Sequence, residues 1–119
     1  MATGARGEGI LELDGETYAV LFTLRALADA ERATGKTVMQ LMTMAQAGAF
    51  GVGDLAQLLT IGLEYARREG RTRAAGFNLN DAWRLLDQLG FTPVATVVIE
   101  ALTAVMTYAP AKEGAGPPA

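Results

Sequence analysis

The 119-residue chain fits one domain, carries a net charge of −3 and is half hydrophobic, enough for a real core. It has neither Cys nor His, which excludes a disulfide framework, thiolate metal sites and the imidazole that most often serves as general base or metal ligand. Mild acidity argues against a general nucleic-acid binder. The opening eight residues lack the apolar core of a signal peptide, and the most apolar stretch, 93–109, is too short and too interrupted by Glu100 to span a bilayer.

In chain order, residues 1–8 are small and Gly-rich, a composition expected to be flexible. Ile10, Leu11 and Leu13 form a first strand around Glu12. Asp14-Gly15 supplies the positive-φ turn that joins hairpin strands. The second strand runs from Glu16 to Phe22, with Tyr18, Val20 and Phe22 on one face and Thr17, Ala19 and Leu21 on the other. Both faces are apolar. One is expected to pack on helices, the other to meet a partner. A lone hairpin is marginal in water and needs such cover.

Thr23 N-caps a first helix over Leu24–Thr34, with Leu24, Leu27, Ala28 and Glu31 on one stripe and Gly35 ending it. Thr37-Val38-Met39-Gln40 is a capping box. It opens a second helix with Val38, Leu41, Met42 and Ala45 at helical spacing, broken at Gly48-Ala49. The third helix, Val52 to Glu69, has Gly51 as N-cap and Asp54 at N3. Its packing face is Leu55, Leu58, Leu59, Gly62 and Leu63, and Gly70 stops it. After a connector at 71–77, Asn78-Leu79-Asn80-Asp81 starts a fourth helix that runs to Leu89 with Trp83, Leu86 and Leu89 inward. Thr92-Pro93 opens the fifth, with Pro at N1, followed by Val94, Val97, Val98, Ala101, Leu102, Val105 and Met106. The tail, 110–119, is rich in Pro, Gly and Ala and is expected to be flexible. The fold class is therefore α+β, mostly α: an N-terminal β-hairpin and about five helices in one domain over 9–109, flanked by flexible 1–8 and 110–119.

No catalytic, cofactor-binding or metal site emerges. Asp29 and Glu31 lie two apart on a helix and do not face one another. No nucleophile, base and orienting group stand together in the pattern, and the glycines form no phosphate-cradling fingerprint. Arg67, Arg68, Arg71 and Arg73 are the only basic cluster. They suit an electrostatic contact with an acidic or nucleic-acid partner, and equally the negative end of a long helix and a solvated loop. Between Lys36 and Glu64 the only charge is Asp54, and from Pro93 to Ala109 only Glu100. Met39, Met42, Met44 and Met106 fall in or beside these uncharged segments, where methionines serve as core or as an adaptable binding surface.

The order of the motifs adds a resemblance. Gly7 to Tyr18 reads G-x-x-x-L-x-L-x-G-x-x-Y, and Phe22 to Glu31 reads F-T-L-x-A-L-x-x-x-E, followed by Thr34-Gly35-Lys36. Asp54 to Leu63 reads D-L-x-x-L-L-x-x-G-L, and Asp81 to Gly90 reads D-A-x-x-L-L-D-x-x-G. Across about residues 8–106 this resembles the tail assembly chaperones of long-tailed phages and gene transfer agents, a family whose members also go under tail tube names. Gly51, where a Ser or Thr cap is common, and the long basic insertion from Arg67 to Gly76 depart from the pattern.

The resemblance implies a non-enzymatic chaperone without cofactors. Such a protein binds the tape measure protein and keeps it soluble until tube subunits polymerise around it. It would work in the host cytoplasm and be absent from the mature virion. It would engage the tail tube protein through a frameshift-extended form and form homo-oligomers, with no membrane or nucleic-acid role. Met39, Leu41, Met42, Val97, Val98 and Leu102 are the residues expected to line the apolar groove. Two other readings stay open: a structural tail component, tube or connector, retained in the virion; and a small regulatory domain placing its arginines on nucleic acid.

Overall fold

The structure is a computed structural model describing residues 7–70 and 75–107. A two-stranded antiparallel sheet, β1 (Glu8–Leu13) and β2 (Glu16–Leu21), precedes five helices: α1 (Leu24–Thr34), α2 (Val38–Gln46), α3 (Val52–Arg68), α4 (Leu79–Leu89) and α5 (Phe91–Thr107). This is the expected α+β, mostly α order. The expectations for 110–119, Tyr108 and residues 1–6 lie outside the described residues. Gly7 and Glu8, expected to be flexible, belong to the hairpin: Glu8 opens β1, and the Gly7 carbonyl accepts from the Phe22 N–H at 2.8 Å.

The hairpin closes at Asp14 (φ 54°) and Gly15 (φ 78°), the two left-handed residues of a type I′ turn. The register pairs Leu13 with Glu16 and Glu8 with Leu21. Leu11, Tyr18, Val20 and Phe22 face the main core. The other face does not wait for a partner: Ala19 and Leu21 are buried with Ala66, and Ile10 and Tyr65 pack against them. Tyr65 and Ala66 of α3 thus cover the Leu21 end of the surface that the sequence left open, while Thr17 stays exposed.

Helix starts follow their caps. Thr23 Oγ1 accepts from the Ala26 N–H at 3.1 Å. Thr37 and Gln40 form a reciprocal capping box, and so do Asn78 and Asp81. Each satisfies backbone donors that the first helical turn leaves unpaired. Gly35, at φ 72°, ends α1 with its N–H on the Glu31 carbonyl. The fifth helix starts at Phe91, not at Thr92-Pro93. The Gly90 N–H closes α4 on the Leu86 carbonyl, and Pro93 falls at N3, still inside the turn where no N–H is required.

Three helix faces differ from the periodicity. In α1 the buried residues are Ala26, Leu27 and Ala30, while Leu24 at the first turn stands exposed. In α4 they are Ala82, Leu85 and Leu86, with Trp83 and Leu89 at the margin. In α2 only Val38 and Leu41 are fully buried. The helices are short: α1 and α4 pack on α3, and α2 meets α1 and α5, so each turns a narrow stripe of small or central residues to the core.

α3 is the hub, in contact with β2, α1, α4 and α5. Its Gly62 lets β2 approach closely. A Cβ there would stand 2.8 Å from Phe22 Cζ and 3.0 Å from Val20 Cβ. Gly9 does the same for α5 on β1, where a Cβ would lie 2.7 Å from Val97 Cγ1. The core, led by Phe22, Leu41, Leu55, Leu58, Leu59, Leu63, Leu85, Val98 and Leu102, is apolar throughout. No polar or charged residue is buried among the described residues.

Candidate partner-binding surface

The six residues expected to line a groove separate in the structure. Leu41 (1% exposed), Val98 (0%) and Leu102 (1%) are inside the core. They cannot meet a partner unless the fold opens. The inward side of α5 is the side that carries its Val and Leu stripe, and the chain itself uses it. Val97 is half-buried over Gly9 of β1. Met39 is 62% exposed, and Met42 lies half-buried beside α5, its Sδ 3.9 Å from Thr103 Oγ1.

What remains outward is a methionine-lined surface on α2 and the end of α5. Met39, Met42, Thr43, Gln46, Met106 and Thr107 line an open hollow of 280 Å³. Across the α2 ridge, Lys36, Met39, Gln40, Thr43 and Met44 line a second, of 380 Å³. Met39 and Thr43 belong to both. Met106 is 39% exposed. The only charge in either lining is Lys36, whose ammonium is held by Asp54 of α3 at 3.2 Å. Long unbranched thioethers around these largely apolar hollows can repack against differently shaped apolar side chains. Met106 and Met44 were legible as methionines in uncharged segments; their adjacency to Met39 required the fold.

Of the arginine cluster, Arg67 and Arg68 lie among the described residues, and Arg71 and Arg73 lie outside them. Arg67 grips the Glu64 carboxylate, Nη2 to Oε1 at 2.9 Å and Nε to Oε2 at 3.1 Å. Glu64 also accepts from the Phe77 N–H, tying α3 to the entry of α4. The Arg67 hydrogen bond, helped by the Phe77 N–H and the charges of Arg67 and Arg68, holds the Glu64 carboxyl below its ordinary value against the opposing effect of burial. Arg68 sits over the Tyr65 ring, 4.9 Å from its centroid. Tyr65 Oη donates to Asp29 Oδ2 at 2.5 Å, and that carboxylate raises the phenol's pKa. Asp29 also accepts from Arg32. These charges spend themselves on one another, joining α1, α3 and the start of α4.

Among the described residues no group of three or more Asp or Glu is placed to hold a metal ion, and no helix is long and apolar enough to cross a membrane. A family model described as phage tail tube protein, GTA-gp10, matches residues 6–107. The chain belongs to this family of phage and gene transfer agent tail proteins. No match arises among curated proteins or solved structures. The family match spans the hairpin and all five helices, so the methionine surface is part of the family domain and not an appendage to it.

Proposed function

We propose that this tail-family protein is an assembly chaperone that binds the tape measure protein and keeps it soluble until the tail tube polymerises. The observation that carries the reading is the uncharged hollow on which Met39 and Met106 stand exposed. A tape measure protein is long, helical and apolar-striped, and it aggregates when uncovered. A client of that kind calls for adaptable apolar contacts that release again, and methionines supply them. Of the groove assigned from sequence, Met39 and Met42 receive the partner, joined by Met106, while Leu41, Val98 and Leu102 support them from within. The tail tube protein, met through a frameshift-extended form, and a homo-oligomer remain further partners in this scheme, which is set in the host cytoplasm and needs neither catalysis nor cofactor.

The second reading is a structural component that stays in the virion, favoured by the family's description as a tail tube protein. Tube subunits are expected to be mainly β, whereas the described residues of this chain form one two-stranded sheet and five helices. Mass spectrometry separates the two. The chaperone reading predicts the chain in lysates of assembling cells and not in purified particles. A stoichiometric amount in particles favours the structural component.

A further inference from the structure

The outer face of α5 is a strip of folded-back hydroxyls around one carboxylate. Thr96 Oγ1 donates to the Thr92 carbonyl at 2.9 Å, Thr103 Oγ1 to Ile99 at 2.8 Å, and Thr107 Oγ1 to Thr103 at 2.9 Å. All three threonines are exposed. Their hydroxyls are already satisfied by the helix, so covering them strands no donor, and much of what they offer a partner is methyl surface. Thr103 adjoins Met42, and Thr107 shares the hollow of Met39 and Met106. The strip is therefore continuous with the methionine surface. Glu100 falls between Thr96 and Thr103 on the same face, at the i, i+4 and i, i+3 positions. It is exposed, the only charge in α5, and makes no ion pair or hydrogen bond among the described residues.

A lone carboxylate inside an otherwise uncharged, self-satisfied strip is costly to cover with apolar surface alone and favourable to cover with a cation. We infer that the α2–α5 face takes a partner helix with an apolar stripe bearing one Lys or Arg in register with Glu100. This inference rests on the helix-binding reading above and adds the charge that the helix must carry.

The probe is a pair of synthetic amphipathic helices of about 18 residues, five turns, with Leu at i, i+3, i+4 and i+7. They differ only in carrying Lys or Glu at the centre of the stripe's margin. Binding to the full chain is read by fluorescence anisotropy at low salt, where charge contacts are least screened. The Lys helix should bind about tenfold more tightly than the Glu helix. Glu100→Lys, checked for wild-type circular dichroism, should reverse the order. Equal binding, no binding by either helix, or a preference that survives Glu100→Lys overturns the inference. Sedimentation velocity of the chain alone closes the remaining route: a dimer broken by Met39→Asp would assign the face to a second copy and also overturn it. If the charge preference fails while the tape measure protein still co-purifies with the wild-type chain, the inference falls and the chaperone reading stands.

Discussion

At Gly62 a hydrogen atom does what no side chain can: it lets Phe22 and Val20 of the hairpin seat against the hub helix. Gly62→Val should overpack this contact and destabilise the chain by about 2 kcal/mol in urea unfolding. Gly53→Ala, with open space around its Cβ, should be neutral or stabilising by about 0.5 kcal/mol. Equal stability of Gly62→Val and wild type would contradict the packing described. Glu64 gives a second test. Its carboxyl is depressed chiefly by the Arg67 hydrogen bond, so its contribution is fully present above the ordinary value of 4.5 and is lost as pH falls through the depressed folded value. The stability gap between wild type and Glu64→Gln should hold from neutral pH down to about 4.5 and narrow below it. A gap that widens on acidification would reverse the assigned sign. Such pairings were not legible in the sequence. Phe77 is brought to the Glu64–Arg67 pair from a position that no periodicity relates to it, and Asp29 meets Tyr65 across two helices.

Element starts were legible where a capping side chain marks them, and less so at Thr92-Pro93, where α5 begins earlier, at Phe91. Thr23, Thr37 and Asn78 each make the cap that their type and spacing foretell, and Asp14-Gly15 makes the turn. Each cap should be worth about 1 kcal/mol, so Asn78→Ala should lower stability by that amount in thermal or urea unfolding. No loss would mean that Asp81 and the backbone hold the helix start unaided. Helix faces were less legible than helix ends. Leu24 and Trp83 are large and apolar, yet α1 and α4 turn Ala26, Ala30 and Ala82 inward, because close approach to α3 favours small residues. Periodicity weighs size; packing weighs fit. The same substitution explains α5, whose Val and Leu stripe looked like a groove and is the inner wall of the core.

Taken as one body, the described residues bury one face of the hairpin and part of the other, and leave the α2–α5 methionine surface open. Uncharged segments were visible in the sequence, but which side of them faces out was not, since that depends on how α5 lies on β1. Met39→Asp should therefore leave the unfolding midpoint close to wild type and remove partner binding, whereas Val98→Asp should unfold the chain by burying an unpaired charge. The most direct measurement is co-expression with the cognate tape measure protein, followed by fractionation and pull-down through this chain. A tape measure that is soluble and co-purifies with wild type, and is insoluble with folded Met39→Asp, is the expected outcome. A tape measure that is insoluble with either, or that co-purifies equally with both, would contradict it.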